Sequence, residues 1–353
     1  VQTHSPMESN CAVVRWTSGT SLEAWVSTQG VFSTADEFAD YFGLPPENVR
    51  VYCDYIGGGF GSKLGAGTAG VMAAELAQLT GKPVKLVFDR KGQQTAAGNR
   101  SDSIQHLKIG ARSDGTITAI DVVGYGTPGI GSGAGFAEAC RSLYEVESYR
   151  TSETSVYTNC GTAMTMRAPG HPQGAYSMEC ILDDLAYELG MDPLELRLAN
   201  NRYPVRKKQF QLAAERFGWS ARNPLPGADS GPIKRGMGLA SCTWSNGGQP
   251  GCTVRVTVGT DGSILIENGA NDIGTGTRTW MAMLVAEELG IKPEQIEVRL
   301  GDSNLPNGPM AAGSTTTPTL SPPTREAGAN ARLAIAEEVA PLMGTTPESL
   351  EFK

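Results

Sequence analysis

Ile56-Gly57-Gly58-Gly59-Phe60-Gly61-Ser62-Lys63 places four glycines within five positions around one aromatic residue. The stretch follows an apolar strand pattern at Val49, Val51 and Tyr52. It precedes an Ala/Leu/Met-rich run at helical spacing over 66–80. Such a loop exposes backbone amides with no side chains in the way. It can press main-chain N–H groups against a large polar partner while holding one ring in place. A phosphate cradle is the obvious functional reading, but the spacing opposes it. The run does not fit G-x-G-x-x-G and lacks the terminal G-K-[ST] of a Walker A loop. The bland alternative is a strand-to-helix turn with Phe60 plugging the core.

The composition narrows the choice. Glycine supplies 44 of 353 residues, well above the usual ~7%, so many turns and close backbone approaches are expected. The length and the 40% hydrophobic content allow a sizeable core and two domains. A net charge of −8 argues against a nucleic-acid partner. No apolar run approaches the ~20 residues of a membrane span. Cys11, Cys53, Cys140, Cys160, Cys180, Cys242 and Cys252 are scattered, with no C-x-x-C. That pattern opposes a zinc site or an iron–sulfur cluster held by this chain alone. It reads as buried thiols in a reducing compartment, hence the cytoplasm, with the periplasm as the alternative. The chain opens mid-pattern at Val1 and reads as a piece of a longer protein.

Residues 11–27 alternate around Ser18-Gly19-Thr20, a hairpin signal. Thr34 is expected to cap a helix over 35–43, with Glu37 as its capping-box partner. A strand at 49–54 leads into the glycine loop, and another follows at 84–88. Hairpins are expected at 105–126 and 252–268, and helices at 172–190, 192–201, 207–217, 276–289 and 322–342. The run 42–51, Phe-Gly-Leu-Pro-Pro-Glu-Asn-Val-Arg-Val, resembles 289–298, Leu-Gly-Ile-Lys-Pro-Glu-Gln-Ile-Glu-Val. The echo points to two related halves, although a shared helix-stop and strand-start grammar gives the same look. The Pro/Gly-rich stretch 221–235 is the expected linker between domains at 1–220 and 236–353.

Four more segments share the character of the glycine loop. Ser27-Thr28-Gln29-Gly30 ends a strand with an amide side chain. Thr165-Met166-Arg167-Ala168-Pro169-Gly170-His171-Pro172-Gln173-Gly174 sets an arginine before a long helix. Asp272-Ile273-Gly274-Thr275-Gly276-Thr277 opens another helix, and Ala311-Ala312-Gly313-Ser314-Thr315 precedes a third. Several donor-rich loops suit one large, polar, many-armed ligand better than one small substrate.

Taken together, these segments resemble the molybdenum-binding catalytic subunit of the molybdenum hydroxylases, the xanthine dehydrogenase and aldehyde oxidase family. The resemblance also takes in His4-x-Pro6-Met7-Glu8, the helix from Glu179 to Ala186, and Gly190-Met191-Asp192-Pro193-Leu194-Glu195-Leu196-Arg197, in family order along the whole chain. It implies an α+β fold of two related mixed α/β subdomains. It also implies an oxidoreductase that hydroxylates an aldehyde or an N-heterocycle with water as the oxygen source. Gln29, Gly58, Gly59, Phe60, Gly61 and Arg167 would lie at the molybdenum centre. Gly274, Thr275, Gly276, Thr277, Gly313, Ser314 and Thr315 would cradle the pterin and its tail, for which the cytosine dinucleotide is one form. Phe60, Leu64, Arg100 and Pro169 would face substrate, Arg100 having the alternative of an ordinary ion-paired arginine. The metal would be held through the molybdopterin, with no direct side-chain ligand. Electrons would leave through 2Fe-2S and FAD groups on partner subunits or further domains, in a complex that can form a homodimer.

Departures from the family pattern sharpen the expectation. The family's base glutamate, in a Gly-x-Gly-Glu-type motif, is expected downstream of Lys353, so no catalytic residue is assigned here and the fragment alone is expected to be inactive. Leu64 stands where purine-oxidising members carry a carboxylate, and a leucine accepts no hydrogen bond. Pro169 replaces an aromatic, and Thr275 replaces a glutamine. These changes favour aldehydes or other small substrates, or a separate branch of the family. They also motivate an alternative reading: a non-catalytic scaffold or cofactor-insertion partner.

Overall fold

The computed structural model describes residues 2–352 apart from Ser132, Ala134 and Pro226. It divides into two compact units. The first, the loop unit, gathers Gln2–Gly98, Thr165–Arg167 and the segment from Ser245 onward. The second, the hairpin unit, comprises Asn99–Met164 and Ala168–Trp244.

The loop unit starts with an antiparallel hairpin, β1 (Cys11–Ser18) and β2 (Ser21–Val26). Helix α1 (Val31–Phe42) and a 3₁₀ turn at Pro46–Asn48 then lead to β3 (Val49–Tyr52), which lies parallel to β2. Helix α2 (Gly67–Thr80) returns the chain to β4 (Val84–Val87), antiparallel to β1, and α3 (Arg90–Ala96) follows. Period-2 alternation turns Ala12, Val14, Leu22, Ala24, Val49 and Val51 inward, where Val31 and Phe38 of α1 and Ala73 and Ala74 of α2 cover them.

Helix α1 begins a turn earlier than its sequence signal. Gly30 is the N-cap, and Val31, fully buried against the core, opens the helix. Burial of Val31 overrides the Thr34 signal. Thr34 sits inside the first turn and donates its hydroxyl to the Gly30 carbonyl at 2.8 Å. Glu37 instead accepts the Ala66 amide at 2.7 Å, at the entry to α2.

The hairpin unit pairs β5 (Asp102–Ala111) with β6 (Ile117–Thr127) in antiparallel fashion. Helix α4 (Ala137–Leu143) precedes β7 (Ser148–Ser155), which lies parallel to β6. Helices α5 (His171–Leu189), α6 (Pro193–Asn200) and α7 (Pro204–Phe217) complete it. Its core joins Ile120 and Val122 of β6 to Met178 and Leu182 of α5.

The chain then returns to the loop unit with β8 (Arg255–Val258), antiparallel to β9 (Ile264–Glu267). Helix α8 (Thr277–Leu289) and a 3₁₀ turn at Pro293–Gln295 lead to β10 (Ile296–Arg299), parallel to β9. This is the β1-β2-α1-β3 arrangement again, with strand orders 3-2-1 and 10-9-8. The echo between 42–51 and 289–298 is therefore a structural repeat, and the fold is α+β with two related mixed halves.

Helix α9 (Thr316–Val339) closes the second half. It starts six residues before the expected 322, with Pro322 and Pro323 inside it. Burial of Thr319 and Leu320 carries the helix back past the prolines. The hydroxyls of Ser321 and Thr324 return hydrogen bonds to the carbonyls of Thr317 and Leu320. Cys53 and Cys140 are buried as expected, but Cys160, Cys180 and Cys242 are exposed. Among the described residues no helix is long and apolar enough to cross a membrane.

Candidate cofactor-binding site

Four loops of the loop unit leave the carboxyl ends of its two parallel strand pairs. They are 27–30 after β2, 53–66 after β3, 268–276 after β9 and 300–315 after β10. Ligands of parallel sheets bind at such ends. These loops contain the donor-rich segments read from the sequence, except for 165–174.

Gln29, only 3% exposed, ties three of the loops together. Its side-chain oxygen accepts the Gly61 amide and its Nε2 donates to the Ala311 carbonyl, both at 2.8 Å. Its backbone amide donates to the Lys63 carbonyl at 2.6 Å, and its carbonyl accepts the Ala311 amide at 2.8 Å. A carboxamide carries two N–H bonds, so one remains for a further partner. The fourth loop joins through Asn271, whose Nδ2 donates to the Cys53 carbonyl at 3.2 Å. The Cys53 amide in turn donates to the Gly301 carbonyl at 2.7 Å.

The glycines of the opening stretch are demanded by contact. A Cβ on Gly57 would stand 2.4 Å from the Glu8 Cβ, one on Gly59 2.3 Å from the Gln29 side-chain oxygen, and one on Gly61 2.2 Å from the Thr165 carbonyl oxygen. Gly274 and Gly276 differ, since a Cβ there would enter open space, and one on Gly313 would meet only the Thr315 methyl at an ordinary 3.6 Å. Phe60, Ala168 and Ser314 are the non-glycine residues with positive φ among the described residues, at 57°, 57° and 58°. Each belongs to a candidate loop. Such conformations cost of order 1–3 kcal/mol and persist where the surroundings enforce them, often at functional sites.

Among the described residues the amides of Gly58, Gly59, Phe60, Gly313 and Ser314 donate to no group of the protein. The 274–277 loop behaves otherwise. One Asp272 side-chain oxygen accepts the amides of Gly274, Thr275 and Gly276 at 3.0 to 3.2 Å, and the other accepts that of Arg278. An anion at this helix start would therefore compete with a carboxylate already in place. The hydroxyls of Thr275 and Thr277 lie 3.4 Å apart.

The Arg167 amide donates to the Phe60 carbonyl at 2.9 Å, which brings that residue to the glycine loop. Phe60 is 44% exposed. Leu64 is half-buried and its carbonyl accepts the Ser33 hydroxyl at 2.9 Å. Arg100 and Pro169 belong to the hairpin unit. Arg100 is buried and donates to the Ala168 carbonyl and the Gln173 side-chain oxygen, and Pro169 is exposed. Glu179 is buried in an ion pair with Arg197 at 2.7 Å and accepts the Tyr144 hydroxyl at 2.9 Å. It serves packing.

Sequence reasoning missed the roles of Glu8 and Lys63, which hold the glycine loop, and of Asp272. Lys63 stood in the quoted stretch. Its burial depends on Glu8, 55 positions away, and no local pattern links the two.

Among the described residues no group of three or more His, Cys, Asp or Glu could hold a metal ion. The donors instead suit a large group rich in oxygen acceptors: free amides at 58–60 and 313–314, the second Gln29 N–H, and open-faced glycines beside hydroxyls. A molybdenum–molybdopterin cofactor fits that set.

Comparison with known proteins agrees. Two family profiles, each described as a molybdopterin cofactor-binding domain, match residues 1–201 and 212–353. The chain is 32% identical to the aldehyde oxidoreductase molybdenum-binding subunit PaoC of Escherichia coli (strain K12), over 99% of its own length and 49% of the relative's. It is 29% identical to the putative xanthine dehydrogenase molybdenum-binding subunit XdhA of the same organism, over 72% of its length and 37% of the relative's. Among solved structures, the aldehyde oxidoreductase of Desulfovibrio desulfuricans superposes with a TM-score of 0.82 at 24% identity, covering 98% of this chain and 41% of the other. CO dehydrogenase from Oligotropha carboxidovorans gives 0.79 at 24% identity, over 99% and 49%. The chain thus spans about half the length of the curated relatives it matches. Strand-end loops, their donors and both family profiles lead to one assignment: the chain belongs to the molybdopterin-cofactor-binding subunits of the molybdenum hydroxylase family.

Proposed function

We propose that the whole protein is a molybdenum-dependent hydroxylase that oxidises an aldehyde, with an N-heterocycle as the second substrate class. The observation that carries this reading is the junction at Gln29. One buried carboxamide joins the glycine loop to the 300–315 loop and keeps one N–H in hand. The cofactor would supply oxidation of an electron-poor carbon with water as the oxygen source. This chain's residues would bind and orient. Gly58, Gly59, Phe60 and Gly61 would present backbone to the metal's ligands, with Gln29 and Arg167 beside them. Gly313, Ser314 and Thr315 would hold the pterin and its tail, in the cytosine dinucleotide form. Gly274, Thr275, Gly276 and Thr277 would take part chiefly through hydroxyls and open glycine faces, because Asp272 holds their amides.

Phe60 and Leu64 are assigned to the substrate side. The apolar Leu64 side chain can accept no hydrogen bond from a heterocycle N–H, which supports an aldehyde. For Arg100 and Pro169 the assignment rests on the family pattern alone. Domains at 1–220 and 236–353 would each carry part of the cofactor surface. Partner subunits would hold 2Fe-2S and FAD groups, and the complex would work in the cytoplasm.

Purification of the full-length protein with its partners, followed by elemental analysis and aldehyde-dependent dye reduction, tests the reading. Stoichiometric molybdenum and a turnover abolished by Gly59→Val are expected. Protein that never holds molybdenum sinks the proposal.

A further inference from the structure

The Lys63 side chain is wholly buried, yet it carries an ammonium group. Its Nζ donates to the Glu8 backbone carbonyl at 2.8 Å and to a Glu8 side-chain oxygen at 3.2 Å. That same oxygen accepts the Ser27 hydroxyl at 2.6 Å and the Gly57 amide at 2.8 Å. The Glu8 amide donates back to the Gly57 carbonyl at 3.2 Å. Glu8 therefore grips both ends of the 57–63 loop. The grip continues through the Lys63 carbonyl to the Gln29 amide, and from the Gln29 side chain to Gly61.

We propose that Lys63 and Glu8 are positioning residues: a charge-dependent latch that sets the 57–63 loop and, through Gln29, the amides turned toward the cofactor. The latch stands on geometry, and its functional meaning rests on the cofactor reading above. A buried charge is an expensive way to fill space, and an apolar side chain of similar volume would desolvate more cheaply. What the ammonium adds is directed bonding to two Glu8 oxygens.

The other titratable groups facing Lys63 are the thiols of Cys11 and Cys53. Burial pushes Cys53 up to about 11, so it carries no charge near neutrality. Burial also lowers the Lys63 pKa, more than Glu8 raises it. The latch is thus closed below the folded-state value and opens as pH rises through it, short of the ordinary lysine range. In that window the unfolded chain binds more protons than the folded one, so neutralising Lys63 favours the folded state. Raising the pH through this window therefore opens the latch without unfolding the unit.

Millisecond hydrogen exchange on the cofactor-free full chain tests this. The bonded amides of Gly57, Gly61 and Ser62 are read against those of β6 as an internal reference, which cancels the intrinsic pH dependence. In Lys63→Met the ratio should rise about tenfold and become independent of pH. In the unaltered chain the ratio should climb by a similar factor through the alkaline window. An unchanged ratio in Lys63→Met, or a flat ratio in the unaltered chain, overturns the latch. If Lys63→Met does not fold, the pH series decides alone. Molybdenum content of the full complex is measured separately, so a latch without metal and metal without a latch are distinguishable results.

Discussion

The side-chain oxygen of Gln29 accepts the Gly61 amide at 2.8 Å, while a Cβ on Gly59 would stand 2.3 Å from that same oxygen. The carboxamide and the loop backbone are fitted to each other without space for one more carbon. Removing the side chain strips partners from a backbone amide and from the buried Ala311 carbonyl. Gln29→Ala should therefore destabilise the loop unit by about 2–4 kcal/mol, from unmet groups worth about 1–3 kcal/mol each. Urea denaturation followed by tryptophan fluorescence measures it. A change under 1 kcal/mol would mean that water replaces the carboxamide freely.

Two glycine-to-alanine changes should separate fold from cofactor binding. Gly59→Ala meets the Gln29 side chain and should lower stability by about 1–3 kcal/mol, the range for overpacking. Gly274→Ala meets nothing within 4 Å but sits at φ +98°. It should cost only about 1–2 kcal/mol of backbone strain. Calorimetry should rank Gly59→Ala as the larger perturbation in the cofactor-free chain. Molybdopterin retention should fall in both, because the second methyl enters the open space beside a loop proposed to bind the cofactor.

Acid should loosen the glycine loop through Glu8. Burial raises its pKa, but the Ser27 hydroxyl, the Gly57 amide and the Lys63 ammonium outweigh burial and bring it below its ordinary 4.5. A lowered folded value supplies stability that is present above pH 4.5 and is lost as pH falls through the folded value. Glu8 is partly exposed, so the effect is modest. In Glu8→Gln the melting temperature should fall less steeply with pH in that acid window than in the unaltered chain. Parallel slopes would remove Glu8 from the account.

Much of this was legible in sequence because it is local. The hairpin at Ser18-Gly19-Thr20 and the echo of 42–51 in 289–298 need only short windows. The parallel pairs β2–β3 and β9–β10 give the reason that loops of the same kind recur. What escaped was long-range satisfaction. Thr34 looked like a cap because Glu37 follows it by three, but the burial of Val31 decided the helix start and Glu37 found Ala66 instead. The loop at 272–277 reads as donor-rich, yet Asp272 bends back and takes its amides. Sequence shows that donors exist; only the fold shows which are taken.

The hairpin unit has its own buried charge, and its response should contrast with that of Lys63. The Arg197 side chain is fully buried. It bonds the Glu179 carboxylate at 2.7 Å, the Asp183 carboxylate at 2.8 Å and the Pro193 carbonyl at 3.1 Å. Glu179 also accepts the hydroxyls of Tyr144 and Ser241. Burial, reinforced by Glu179, pushes the Tyr144 pKa far above the usual phenol range. Glu179→Ala leaves Arg197 with only Asp183 as a charged partner, and Asp183 is half-exposed. Stability should drop by about 3–5 kcal/mol, the range for breaking a buried pair from one side. Replacing both partners with apolar residues of similar volume, as Glu179→Met with Arg197→Leu, should recover most of that loss. A double variant as unstable as Glu179→Ala would show that the Arg197 bonds to Asp183 and to the Glu179 backbone carbonyl, rather than the pair with the Glu179 carboxylate, hold α5 to α6.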